Sequence, residues 1–350
     1  IVQGLFFVYI EVMQTEFNLG AKEIESKISE CVKNGMNEFV LHDFSYANDK
    51  GKMLGFLKTV QRTAPELFVS FNINPRILDM DVCRQCMNIN CSIEMNFEAI
   101  PSDSKKTDVK KSVLFFDKKF YAKRCETLNN SGLVFGINLF FADKNGDSLK
   151  AFCDRLNFTI EQYPNHIDFP QTENTEEMAS AKVSGTFSAE DIRAARNIAF
   201  ACRTFYSAGR AVPWFNSILS ALRITPSAFF SDFAEWQRCN NCDYNSGFVP
   251  ENVSHHEIEK MQLLFLQQKF KEKHKSHMFT AANDIVCMNG ALSRLVSDGT
   301  ESVLETDYNP EEIFGPEAMD LNSFVNDLCM EHCTVKVFLN EDGEPDFKIL

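Results

Sequence analysis

The sequence is short of basic residues: 35 Lys and Arg stand against 49 Asp and Glu, a net charge of −14. That deficit argues against holding nucleic acid or an anionic membrane through bulk electrostatics. The lysine doublets at 105–106, 110–111 and 118–119 read as a solvated loop. Long hydrophobic runs are also missing. No stretch of about 20 apolar residues exists, so no helix is expected to span a bilayer. Residues 1–13 are apolar but lack a basic leader and a small-residue cleavage site, which makes them a poor signal peptide. Tryptophan occurs only twice, against 33 Phe, a surplus we take as bulk core filling. There is no Gly-x-Gly-x-x-Gly, no Walker loop, no Gly-x-Ser-x-Gly and no His-Glu-x-x-His, so none of the motif-borne routes to nucleotide binding, serine hydrolysis or zinc proteolysis is open. The 12 cysteines lack even spacing. In a large acidic chain they do not resemble a disulfide framework, and they fit a reducing cytosol and an organism that rarely meets oxygen.

What is present is ample for a core. Apolar residues make up 44% of a 350-residue chain, enough for one large domain or two ordinary ones. Residues 1–170 read as repeated strand–helix units. A helical stripe at Ile24, Ile28, Cys31 and Val32 ends near Gly35, and a second at Met53, Phe56, Leu57 and Val60 falls in 51–64. Further helices are expected near 79–87, 117–130 and 147–162, with a polar insertion at 101–111. Strictly alternating elements imply a parallel sheet with helices outside it. The expected fold is therefore α/β: a partial, six-stranded (β/α) TIM-like barrel. Residues 171–188 have linker composition. Residues 189–350 are expected to be mostly helical, at 191–208, 213–223, 226–237 and 255–277, with a terminal hairpin around Asp342-Gly343. The stripe Ile258, Met261, Leu264, Phe265 and Phe270 reads as a packing face.

Three neighbouring predicted strands keep a polar face. It carries Ser70, Asn72 and Asn74 in one, Glu94, Asn96 and Glu98 in the next, and Gly136 and Asn138 in another. A parallel strand covered on both sides should be nearly all apolar, so these faces argue for a wet, functional interior. In parallel α/β folds ligands sit at the carboxyl ends of the strands, where Asp43, Asn74, Glu98, Asn138 and Asp168 are expected. Amides and carboxylates suit a small polar ligand with hydroxyl, amino or carboxylate groups. His42 and Asp43 are strand neighbours and face opposite ways, so they are not expected to bond directly. His166 reads as satisfying a partner at a strand end.

Two cysteine groups have metal-like spacing. Cys83, Cys86 and Cys91 read as core thiols, because buried cysteines behave as small hydrophobes. Cys239 and Cys242, followed by His255 and His256, resemble half a zinc finger whose fourth ligand is missing; Cys329, His332 and Cys333 are distant candidates to complete it. A turn with incidental thiols is the preferred reading. No metal ligand and no catalytic residue is assigned.

The runs Asn37-Glu-Phe-Val-Leu-His-Asp43, Ser70-Phe-Asn-Ile-Asn-Pro-Arg76 and Glu94-Met-Asn-Phe-Glu98 resemble the middle of a radical S-adenosylmethionine (SAM) barrel. The stretch 128–147 is similar to that family's fifth strand and turn. Asp191-Ile-Arg-Ala-Ala-Arg196 and Phe205-Tyr-Ser-Ala-Gly-Arg210 resemble the tail of its cobalamin-binding branch. The resemblance covers about residues 1–240. It implies SAM lying across the strand ends, with Asp43, Asn72, Asn74, Glu94, Asn96, Glu98, Asn138 and Asp168 as cofactor-binding residues. It also implies a [4Fe–4S] cluster, a small-molecule or peptide substrate, and cobalamin carried by an upstream domain of a longer protein.

The family's Cys-x3-Cys-x2-Cys loop should follow the first strand, placed at 1–4, yet 5–19 contains no cysteine. Without those thiolates no cluster forms to cleave SAM. The leading expectation is a truncated or degenerate radical SAM protein that binds SAM. The alternatives are a cluster-free barrel enzyme using acid–base carboxylates such as Glu94 and Glu98, where like charges on one face raise one pKa, and a catalytically dead binding protein.

Overall fold

The computed structural model describes residues 20–101, 114–170 and 181–350. The expected strand at 1–4, most of the insertion at 101–111 and the first part of the linker lie outside the described residues. The chain divides between Ile192 and Arg193 into two units.

The first unit is built on a parallel sheet. Its elements run α1 (Ala21–Lys33), β1 (Glu38–Leu41), α2 (Phe44–Ala47), α3 (Lys50–Thr63), β2 (Phe68–Asn72), α4 (Met80–Cys86) and β3 (Cys91–Phe97). A short ribbon of β4 (Ile100–Pro101) and β5 (Leu114–Phe115) follows, then α5 (Lys118–Asn130), β6 (Val134–Leu139), α6 (Leu149–Ile160) and β7 (His166–Asp168). The strand order is β1-β2-β3-β6-β7, every neighbour parallel. Spatial order therefore equals chain order, with none of the reversal that marks a doubly wound sheet.

The helical stripes follow the expected pattern with one difference. Ile24, Ile28 and Cys31 are buried on α1, and Met53, Phe56, Leu57 and Val60 on α3. Val32 lies off the stripe, 48% exposed, one residue before the helix ends at Lys33, ahead of Gly35 with its φ of 70°. Helix α1 packs on α3, α3 on α4 and α4 on α5. One sheet face is accordingly dry: Phe39, Leu41, Val69, Phe71, Ile93, Met95, Phe97, Phe135, Ile137 and Leu139 are all buried.

The turn after β6 is fixed by a buried ion pair. Asp147 and Arg155 are 1% and 5% exposed and meet at 2.9 Å. Asp147 also accepts the Ala142 amide at 2.9 Å, and Arg155 donates to the Phe140 carbonyl at 2.9 Å. Both terminal nitrogens of Arg155 and both oxygens of Asp147 have partners, which helps such a buried pair to be tolerated.

The second unit is mainly helical. It contains most of α7 (Ala189–Cys202), then a π-helical turn at Arg203–Ala208, α8 (Phe215–Leu222), α9 (Pro226–Cys239), α10 (His255–Glu272) and α11 (Phe279–Asp298). Next come β8 (Ser302–Thr306), α12 (Pro310–Ile313), α13 (Leu321–Asp327), β9 (Cys333–Leu339) and β10 (Pro345–Ile349). The expected hairpin is present as β9 and β10, with β8 as a third antiparallel strand. Phenylalanine is spread over both units, and here several of the rings cluster. Phe205 meets Phe229 and Phe233 at ring-centroid distances of 4.9 and 5.0 Å, and Phe229 meets Phe265 at 5.2 Å. Such edge-on contacts add to burial through the ring quadrupoles.

Helix α10 departs from the expected packing face. Ile258, Phe265 and Phe270 are buried, but Leu264 is 50% exposed, and Glu259, Gln262 and Lys269 are buried instead. Each of these polar groups has work inside the unit. Gln262 donates at 2.7 and 3.0 Å to the Phe205 and Gly209 carbonyls released by the π-turn. A Cβ on Gly209 would lie 2.1 Å from the Gln262 amide nitrogen, so the position requires glycine. Glu259 pairs with Arg294 at 2.6 Å, and Lys269 with Asp232 at 2.6 Å. Among the described residues no helix is long and apolar enough to cross a membrane.

His255 begins α10 in this polar interior. One ring nitrogen faces the Gly209 carbonyl at 3.4 Å and the other faces Arg294 at 3.2 Å. Burial first, then the charges of Arg210 and Arg294, push its pKa down to about 4. A histidine held neutral in the folded chain and titrating near 6.5 when unfolded costs nothing above pH 6.5. It costs progressively more as pH falls toward 4, reaching about 3 kcal/mol. We therefore expect urea unfolding between pH 7.5 and 4.5 to show a loss of stability that shrinks by about 2 kcal/mol in His255→Gln. An equal loss in both proteins would contradict this account.

Candidate functional site

The second face of the parallel sheet carries the chemistry. Register aligns Asn72, Glu94, Gly136 and His166 in one row across β2, β3, β6 and β7, with Asn96, Asn138 and Asp168 in the next row toward the carboxyl ends. His42, one residue past β1, meets Asn72 at 3.2 Å. The amino-terminal row on this face is Val40, Ser70, Ser92 and Val134, so polarity increases toward the strand ends. Strand alternation explains the whole arrangement, since each polar residue stands one step from a buried apolar one.

Side chains within these rows are linked. The Asn138 amide donates to Asn96 at 3.1 Å and more weakly to Asn72 at 3.5 Å. Ser92 donates to Glu94 at 3.1 Å. Glu94 reaches across β6 to His166 Nε2 at 2.9 Å, and His166 Nε2 lies 3.6 Å from Asp168.

That crossing depends on Gly136. Glu94 and His166 sit on strands that are not neighbours, and the strand between them contributes no side chain at this row. A Cβ at Gly136 would fall 2.0 Å from His166 Nε2 and 2.4 Å from Glu94 Oε2. Burial alone would lower the His166 pKa, but the Glu94 hydrogen bond and charge, joined by Asp168, outweigh it and raise the pKa above the ordinary histidine value. Glu94 Oε2 is buried and has no hydrogen-bond partner.

The sequence-expected residues divide into two groups. Asn72, Glu94, Asn96, Asn138 and Asp168 come together on this face. Asp43, Asn74 and Glu98 do other work. Asp43 is buried and caps α2 by accepting the Ser45 amide at 2.7 Å. Asn74 bonds Asn48 at 2.7 Å and accepts the Arg76 amide at 3.0 Å. Glu98 pairs with Lys144 at 2.9 Å. Glu94 and Glu98 therefore have separate partners, His166 and Lys144, and do not form the expected like-charge pair. His42 lies on the polar face and Asp43 on the buried side, as their alternation requires.

His166 and Gly136 are the residues whose importance the sequence understated. The available signal was an isolated glycine within a run of bulky strand residues, which marks a close approach of neighbouring groups.

The cysteine groups are separate from this face. Cys83 and Cys86 lie on α4 and Cys91 at the amino end of β3, all buried. Burial pushes the Cys83 thiol up to about 11, while the hydrogen bond between Cys86 and Cys91, more than burial, raises Cys86 and lowers Cys91. Thiols held protonated in a core are poor cluster ligands. Farther along, Cys242 donates to the Gln237 carbonyl, His255 is buried beside Arg294, and His332 lies between Glu305 and Asp307. Among the described residues, the one group of three or more potential ligands within metal-binding reach is Glu94, His166 and Asp168.

No family model matches this chain, and no curated protein matches it. Among solved structures, it is similar to the radical SAM methyltransferase TsrM from Kitasatospora setae with tryptophan and a SAM analogue bound. The TM-score is 0.36 at 9% identity, over 43% of this chain and 30% of that one. TsrM with cobalamin and a [4Fe–4S] cluster bound gives a TM-score of 0.35 at 9% identity, over the same shares. The matched part thus spans under a third of that enzyme's length, and likeness at this level carries no argument about activity.

Two glycines test the reading of the crossing. Gly136→Ala should lower the thermal midpoint, at a cost of about 1–3 kcal/mol from forced overlap. Gly55→Ala, in helix α3 with nothing within 4 Å of the added Cβ, should raise it slightly, by about 0.5–1 kcal/mol. Equal melting of Gly136→Ala and the parent would mean that the contact over β6 does not constrain the sheet.

Proposed function

We propose that the polar face of the parallel sheet binds a small ligand of the S-adenosylmethionine type and that the sheet is the wall of a partial (β/α) barrel. The observation that carries this reading is the double row His42, Asn72, Glu94, Asn96, Asn138, His166 and Asp168 on a sheet whose opposite face is dry. Amides suit ribose hydroxyls and a carboxylate, while Glu94 and Asp168 favour an amine or sulfonium charge. Strand order equal to chain order, with helices packed in sequence, suits a barrel wall.

A resident iron–sulfur cluster does not fit the described residues. The buried cysteines of α4 and β3 stand at the amino end of β3, away from the polar rows, and the α4 thiols Cys83 and Cys86 are pushed toward their protonated forms. We therefore derive no radical step. What the residues themselves do is orient a polar ligand, with Glu94 hydrogen-bonded to His166 at 2.9 Å.

Calorimetric titration of the metal-stripped chain with SAM tests this reading. Saturable binding is expected, weakened about tenfold in Asn138→Leu, the equivalent of about 1.4 kcal/mol of lost hydrogen bonding. S-adenosylhomocysteine, which lacks the sulfonium charge, should bind more weakly. No binding by the folded protein, or binding indifferent to Asn138→Leu and Asn96→Leu together, would remove the proposal.

A second reading rests on the Glu94–His166 contact at 2.9 Å: a carboxylate–imidazole pair suited to general acid–base catalysis. Turnover in plain buffer, independent of SAM and abolished in Glu94→Gln, would favour it.

A further inference from the structure

We infer that Glu94, His166 and Asp168 form a binding site for one first-row divalent cation, of the manganese or zinc kind, above Gly136. The inference does not require the SAM reading, and each can fail alone.

Three observations carry it. First, one potential ligand atom from each residue lies within 4.8 Å of the others, and no second such group occurs among the described residues. The contacts of 2.9 and 3.6 Å made by His166 Nε2 bracket the spacing of about 3.3 Å expected between donors that each stand about 2.0–2.2 Å from a tetrahedral ion. Second, Glu94 Oε2 is a buried carboxylate oxygen with no hydrogen-bond partner. Such an atom is costly to bury unless a donor or a cation compensates it. Third, Gly136 leaves the floor of the cluster bare. Any larger residue would push its Cβ into both His166 Nε2 and Glu94 Oε2.

The donor set defines the class of ion. Two carboxylates and one imidazole are hard-to-borderline ligands, which suit Mn2+, Fe2+ or Zn2+ and disfavour the soft ions that thiolates select. Two negative charges offset a divalent ion. Three protein ligands leave coordination positions open, as in sites that act on a bound water or ligand. The supporting contact is in place: Ser92 donates to Glu94 Oε1 at 3.1 Å and fixes its carboxylate. Asn96 and Asn138 stand in the same row as Asp168.

The test is titration of the metal-stripped full chain with Mn2+ alone, followed by the electron paramagnetic resonance of the unbound ion. Manganese is chosen because the 12 cysteines compete poorly for it. One ion should bind per chain, with affinity falling about tenfold or more in Glu94→Gln and in Asp168→Asn. Asp154→Asn, an exposed carboxylate on α6, should bind as the parent does. Circular dichroism checks that each variant is folded.

A second measurement needs no variant. Paramagnetic broadening by substoichiometric Mn2+ should reach the His166 ring signals first. Broadening that begins at His332, which lies exposed between Glu305 and Asp307, would overturn the inference. So would parent affinity no tighter than that of the Glu94→Gln/Asp168→Asn double variant. These titrations contain no SAM, and the SAM titration contains no metal, so the two outcomes are read separately.

Discussion

Side chains of a strand alternate between two faces, and in this sheet the helices cover one of them. That single asymmetry sets the rest of the first unit. Phe71, Ile93, Met95, Phe135 and Ile137 can be fully buried only if their neighbours point the other way. Those neighbours, Asn72, Glu94, Asn96, Gly136 and Asn138, then fall into rows across three strands. A slip of one residue in any strand would exchange a phenylalanine or isoleucine for a carboxylate or amide in the core. Hydrophobic burial thus fixes the register, and the register brings Glu94 and His166 to the same level.

Charge works differently in the two units. On the sheet, Glu94 and His166 form a contact whose remaining oxygen has no partner. In the helical unit, Glu259 and Arg294 are shielded within the core, while Gln262 closes the carbonyls of the π-turn. The second arrangement is a way of finishing a backbone that a π-turn leaves unsatisfied. The first leaves an unmet demand, and unmet demands in a folded interior are where ligands gain most.

Much of this was legible from residue patterns, and the gaps have physical causes. The stripes of α1 and α3 could be read because amphipathic helices repeat at 3.6 residues. The polar faces of β2, β3 and β6 could be read because alternation has a period of two. Helix α10 misled because polar side chains that satisfy distant backbone groups look like a solvated face. Asp43 and Asn74 are ambiguous in sequence, because an acid or amide at a strand end can face a ligand or serve as a helix cap or turn anchor. His166 gave little signal, since its partner stands 72 positions earlier in the chain and only three-dimensional register joins them. The interplay of His255 with Arg294 likewise depends on contact between remote segments.

The clamp of Asp147 on Arg155 and on the Ala142 amide has a consequence for recognition. It ties down the turn after β6, and Lys144 within that turn in turn engages Glu98 at the end of β3. The rim of the polar face has therefore already lost its conformational freedom during folding. A ligand arriving there has little left to immobilise, so more of its contact energy appears as affinity.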